Sequence, residues 1–144
     1  MRVILADDEQ KVCQLIYDLV HWEDYGMTVV GMAYNGLDTL DLIKKQRPDL
    51  VITDIKMPGC DGLELIRRVK DLQEKMDFII ISGYRFFEYA QNAIKYGVSD
   101  YLLKPIKQEE LINTLKKMQE KYNARQERMT EENALRSQIK ESRK

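Results

Sequence analysis

The 144-residue sequence holds no run of about 18 apolar residues, so no segment reads as a membrane-spanning helix. Its start, Met1-Arg2-Val3-Ile4-Leu5, turns acidic by Asp7, too early for a signal peptide. Cysteine is scarce: Cys13 and Cys60 have neither metal nor disulfide spacing, and a cytoplasmic, reducing setting is expected. Cys60 has only Lys56 as a basic neighbour in sequence and is expected to be inert. The one histidine, His21, stands beside Trp22 and reads as surface or packing, neither ligand nor base. A net charge of -1 argues against a wholly basic nucleic-acid binder. Residues 120–144 contain no Gly or Pro and carry seven Lys/Arg against five Asp/Glu, which leaves 16 against 19 in residues 1–119.

What is present is a chain 44% hydrophobic and 33% charged, enough to bury one core with an appendage. Apolar runs at Arg2–Ala6, Met27–Ala33, Leu50–Thr53, Phe78–Ile81 and Val98–Leu103 read as buried strands. Between them lie helical stripes. Val12, Leu15, Ile16, Leu19 and Trp22 form the first, with Asp8 expected to cap its start; Leu37, Leu40 and Ile43 form the second, before Pro48. Leu63, Leu65, Ile66, Val69 and Leu72 form the third, Phe87, Ala90, Ala93 and Ile94 the fourth, closed by Gly97. The last opens near Gln108 with Leu111, Ile112, Leu115 and Met118.

Five strands alternating with five helices predict a (βα)5 α/β fold: a flavodoxin-like, doubly wound parallel sheet in the order 2-1-3-4-5. Strands 1 and 3 then lie side by side, bringing Asp7, Asp8 and Asp54 together, while strands 4 and 5 deliver Ser82 and Lys104 to the same edge. Three carboxylates in one place repel unless a cation joins them. Mg²⁺ suits Asp7, Asp8 and Asp54 with the backbone carbonyl of Lys56, because it keeps several waters and completes its shell with phosphate oxygens. A carboxylate oxygen of Asp54 can attack phosphorus, with Lys104 and Ser82 stabilising the phosphoryl charge. Taken singly, each residue has a plainer reading: Asp8 as a helix cap, Ser82-Gly83 as a turn, Lys104 as surface and Tyr101 as strand packing.

Asp7-Asp8, Asp54-x-x-Met57-Pro58 with Gly62, Ser82-Gly83, and Tyr101-x-x-Lys104-Pro105 together resemble the receiver domains of bacterial two-component response regulators, over residues 1–119. Ser82-Gly83-Tyr84, Phe87-Glu88-Tyr89-Ala90 and Asp100 to Pro105 are most similar to receivers of AraC-type transcriptional regulators. The resemblance implies Asp54 as phosphoacceptor, Asp7 and Asp8 as Mg²⁺ ligands, Ser82 as the hydroxyl that follows the phosphoryl group, and Lys104 as its ion-pair partner. It also implies Tyr101 as the switch aromatic and a cis Lys104-Pro105 bond. Threonine is frequent in the family where this sequence has Ser82.

The implied partner is a sensor histidine kinase, with possible homodimerisation through the face of helix 4, strand 5 and helix 5 or through the C-terminal helix. DNA would be met only through an output domain outside this chain, and no membrane is expected. Residues 120–144 should extend the last helix as a linker, since Leu111, Leu115, Met118, Tyr122 and Met129 step at 4-3-4-7 before Leu135 and Ile139 shift register. Competing readings are a phosphohydrolase with an aspartyl nucleophile, which wants a second acid where Lys56 stands, and an FMN carrier, which wants a Ser/Thr-rich phosphate loop. A receiver signalling by contact alone is the fourth.

Overall fold

In the computed structural model, residues 1–72, 75–83, 88 and 97–142 are described. The elements run β1 (Arg2–Ala6), α1 (Gln10–Leu19), a 3-10 turn (Trp22–Tyr25), β2 (Thr28–Ala33), α2 (Gly36–Gln46), β3 (Leu50–Asp54), α3 (Gly62–Asp71), β4 (Asp77–Ser82), β5 (Asp100–Leu103) and a C-terminal helix (Gln108–Ser142). All four strand pairings are parallel, in the expected order β2-β1-β3-β4-β5. The expected helix with Phe87, Ala90, Ala93 and Ile94 lies outside the described residues.

Strand side chains alternate faces, and here both faces are covered. Val3, Leu5, Leu50, Ile52, Ile79 and Ile81 join one core with Cys13 and Ile16 of α1 and Leu111, Leu115 and Met118 of the C-terminal helix. Ile4, Ala6, Val51, Phe78 and Ile80 join a second with Leu40 and Ile43 of α2 and Leu65, Ile66 and Val69 of α3. Each fully buried Ile or Leu contributes roughly 1.5–3 kcal/mol, so β3 and β4, buried along their whole length, are the fixed frame for the loops beyond them.

Some helical expectations need correction. α1 stops at Leu19, because Val20 is extended, and Trp22 begins the 3-10 turn, its indole N–H donating to the Tyr17 carbonyl at 3.0 Å. Leu15, Leu37 and Leu72, taken as core-facing, are about half exposed, whereas Cys13 is buried. Asp8 does not cap α1: Glu9 is the N-cap, with no side-chain hydrogen bond, and the Glu9 N–H donates to Asp7 Oδ1 at 2.9 Å. His21 is exposed at the start of the 3-10 turn, as expected.

Candidate functional site

The loops at the carboxyl ends of the strands are pinned by short backbone approaches. Asn35 and Asp61 cap α2 and α3, accepting from the Asp38 and Glu64 amides at 2.8 and 2.9 Å. Gly36 follows the first cap, and a Cβ there would lie 1.7 Å from the Cys60 carbonyl oxygen. Gly62 follows the second, where a Cβ would lie 2.6 Å from the Asp54 carbonyl oxygen. Only glycine lets the Lys56–Asp61 loop fold this closely over the end of β3.

β3 ends in Asp54, paired in register with Ile81 of β4, while the neighbouring Ala6 pairs with Thr53 and Asp7 continues past the sheet, its amide bound to the Ala33 carbonyl at 3.1 Å. Asp7, Asp8 and Asp54 each bring a carboxylate oxygen to within 4.8 Å of the other two. Asp7 is wholly buried, Asp54 is 6% exposed and Asp8 is open to solvent. Lys104 Nζ lies 2.9 Å from Asp7 Oδ2 and 2.9 Å from Asp54 Oδ2. The contact to Asp54 is a hydrogen bond, whereas the buried Asp7 Oδ2 is held by its ion pair with Lys104 alone.

The electrostatics follow from this packing. Burial, with the Asp54 charge adding to it, pushes the Asp7 carboxyl from 3.8 up to about 6 against the opposing pull of the Glu9 amide and Lys104. Burial works to lower the Lys104 ammonium, but the two carboxylates outweigh it and hold the group above its ordinary value. Burial pushes the neighbouring Cys13 thiol up to about 11, aided by the Asp7 charge, and raises the buried Cys60 thiol too, so neither is an activated nucleophile. A buried carboxylate oxygen held only by a lysine it shares with Asp54, beside two further carboxylates, fits a hard divalent cation with oxygen ligands.

Of the remaining sequence-predicted residues, Ser82 and Lys56 lie at the same strand ends, and Tyr101 lies deeper along β5. Ser82 ends β4 fully buried; its hydroxyl donates to the Gly83 carbonyl at 2.9 Å, and its own carbonyl accepts the Lys104 amide at 2.8 Å, which fixes where that lysine starts. The Lys104-Pro105 peptide is cis. Lys56 is exposed in the loop two residues past Asp54. Tyr101 is half-buried in mid-β5, packed against the α2–α3 core, and burial raises its phenol above the ordinary value. Reading by motif missed Glu9, whose amide ties α1 to Asp7, although a residue before a helical stripe is where a cap belongs. It also missed the ion-pair cluster around Asp77, which has no local sequence signature.

Residues 3–116 match the family described as the response regulator receiver domain. The transcriptional regulatory protein YesN of Bacillus subtilis is 42% identical over 117 residues, which are 81% of this chain and 32% of that protein. The transcriptional regulatory protein HptR of Staphylococcus aureus is 37% identical over 105 residues, 73% of this chain and 41% of that protein. The chain thus spans less than half the length of both relatives. Among solved structures, the REC domain of AraT, a response regulator from Geobacillus stearothermophilus, superposes with a TM-score of 0.84 at 36% identity, covering 87% of this chain and 97% of that one. A two component transcriptional regulator AraC from Clostridium phytofermentans superposes at 0.75 with 28% identity, covering 82% and 92%. Among the described residues no helix is long and apolar enough to cross a membrane.

Proposed function

The chain belongs to the receiver domains of two-component response regulators, and from that premise we propose that it is a phosphorylation switch with Asp54 as the phosphoacceptor. The observation that supports this most directly is the ammonium of Lys104 held 2.9 Å from Asp54 Oδ2 within a three-carboxylate cluster. Asp7 shares that lysine but is wholly buried, whereas Asp54 keeps 6% exposure at the end of β3, beside a cation already positioned for the oxygens of an incoming phosphoryl group.

The donor in this reading is a phosphohistidine on a sensor histidine kinase. An oxygen of Asp54 attacks the phosphorus in line; the new O–P bond forms as the N–P bond breaks, and the imidazole nitrogen departs with the bonding pair and takes up a proton. Lys104 exchanges its hydrogen bond with Asp54 Oδ2 for one with a phosphoryl oxygen. The Ser82 hydroxyl turns from the Gly83 carbonyl to donate to a second oxygen, and Tyr101 follows as the switch aromatic. Asp7, Asp8 and Asp54 with the Lys56 carbonyl are the residues that would hold Mg²⁺, which when bound supplies positive charge for the remaining phosphoryl oxygen. Water later hydrolyses the aspartyl phosphate, so the protein resets itself and turns over no metabolite.

Residues 1–119 form the proposed receiver, and 120–144 lead toward an output. Control of transcription is the output we propose, since the relatives are named transcriptional regulatory proteins and extend well beyond the matched region. Incubation with Mg²⁺ and a small acyl phosphate should add one phosphate per chain by intact mass, and Asp54→Asn should abolish it. Equal labelling of that variant would overturn the assignment.

A further inference from the structure

Asp77 opens β4 at the sheet edge opposite the carboxylate cluster, and its side chain is only 7% exposed. Three donors converge on it in four contacts. Ser99 Oγ lies 2.9 Å from Oδ1, Lys121 Nζ 3.1 Å from Oδ1, and one Arg125 nitrogen 3.1 Å from each oxygen. Burial works to raise the Asp77 carboxyl, but Lys121, Ser99 and Arg125 outweigh it and hold the group below its ordinary value, so it stays ionised. The backbone around it is anchored as well: the Asp77 amide donates to the Asp49 carbonyl at 2.9 Å and the Ser99 amide to the Phe78 carbonyl at 2.9 Å.

Lys121 and Arg125 are four residues apart on one face of the C-terminal helix, in the same stripe that buries Leu111, Leu115 and Met118. The apolar seam ends at Met118, and the ion pairs continue the attachment for two more turns. Past Arg125 the support stops: residues 126–136 are all exposed, including Met129 and Leu135. Met129 and Leu135 are six residues apart, a step that breaks the heptad spacing kept from Leu111 to Met129. A helix of this length without tertiary support is marginal in water, and its order and direction must come from the end that is held.

We propose that Asp77, Lys121 and Arg125 form a clamp that fastens the root of the C-terminal helix to the receiver, so that the helix leaves the domain at Arg125 in a direction set by β4. The same strand carries Ser82 at its other end, five residue steps or about 17 Å away, and therefore joins the phosphoryl-site edge to the helix root through one rigid element. Asp77 is a positioning residue in this arrangement.

Amide hydrogen exchange on the unphosphorylated full chain tests the clamp whether or not Asp54 accepts phosphate. In the Lys121→Ala/Arg125→Ala double variant, amides of residues 119–130 should exchange about tenfold faster or more, with β1 and β3 unchanged. Asp77→Asn should reproduce the effect. Lys116→Ala/Lys117→Ala, which removes two exposed charges from the same helix, should leave exchange as in the wild type, and the charge-conserving Lys121→Arg/Arg125→Lys should retain most of the protection. Exchange within twofold of the wild type in the clamp variants, or equal acceleration in the Lys116/Lys117 control, would overturn the proposal.

Discussion

Replacing Asp7 by Asn is expected to stabilise the metal-free protein at pH 7, although it removes a charge next to Lys104. Asp7 is wholly buried, and its carboxyl titrates at about 6 in the fold against 3.8 for an ordinary aspartate. The folded state therefore binds this proton more tightly than the unfolded chain does, and the contribution to stability is fully present below about pH 4 and lost as pH rises through about 6. At about 1.4 kcal/mol per pH unit, the interval from 3.8 to about 6 corresponds to about 3 kcal/mol at pH 7, an upper figure already net of the Lys104 attraction. Asn cannot ionise and keeps an oxygen for the Glu9 amide, which donates to Asp7 at 2.9 Å. Allowing for relaxation around the site, a gain of about 1–3 kcal/mol is expected, or roughly 2–4 °C in Tm per kcal/mol for a chain of this size. Thermal and urea denaturation of both proteins in chelator, from pH 4 to pH 8, should show curves close together at the acid end that separate between about pH 4 and pH 6 and keep a constant gap above that, with the variant higher. A variant at or below the wild type at pH 7, or a gap independent of pH, would refute the reasoning. Adding Mg²⁺ should then raise the wild type and narrow the gap, because only a site with Asp7 intact has its full set of carboxylates.

Lys104→Ala leaves Asp7 and Asp54 facing one another without their shared cation, and acyl phosphate labelling should slow by about 100- to 1000-fold, the cost of losing one preorganised charge at a phosphoryl site; labelling within threefold of the wild type would exclude Lys104 from the chemistry. Gly36→Ala places a methyl group 1.7 Å from the Cys60 carbonyl oxygen, so the α2 start and the loop after β3 must separate. A loss of about 2 kcal/mol or more in urea denaturation is expected, and an unchanged midpoint would show that the loop moves aside at no cost.

The parts of the fold that were legible in the sequence are those whose signal is local and repeated. Leu50 to Thr53 and Phe78 to Ile81 are unbroken apolar runs because both faces of the sheet are covered, and the structure buries each of these residues. Helix ends were harder to read. Trp22 falls at the right interval after Leu19 to prolong the α1 stripe, yet extended Val20 breaks the helix and the indole reaches the core through a 3-10 turn instead. Periodicity registers the spacing and is blind to the break. Leu15, Leu37 and Leu72 fit apolar stripes but lie at their margins, where the covering elements do not reach. The site was visible because strand ends in a parallel sheet converge, so identifying Asp7, Asp54, Ser82 and Lys104 as strand-terminal residues was enough to assemble them. The Asp77 cluster was not visible, since its partners Lys121 and Arg125 are 44 and 48 residues away on a helix whose phase relative to β4 no motif encodes.

The two charged clusters at opposite edges of the sheet are built on contrary principles. Asp77 is buried with both carboxylate oxygens hydrogen-bonded, its carboxyl is held below the ordinary value, and it adds stability at neutral pH. Asp7 is buried with one amide on Oδ1 and only a shared lysine on Oδ2, its carboxyl is pushed up to about 6, and it takes stability away at neutral pH. Nothing in the packing of α1 requires the second arrangement, since an Asn at position 7 would hold the Glu9 amide equally well. A buried acid kept at such a cost makes physical sense when its missing partner arrives from outside. Lys104, at 2.9 Å from both Asp7 and Asp54, brings one positive charge to two buried carboxylates, so one negative charge stays uncompensated. A divalent cation among the carboxylates and a phosphoryl group on Asp54 would relieve that shortage together, and this shared relief couples the proposed metal to the proposed modification.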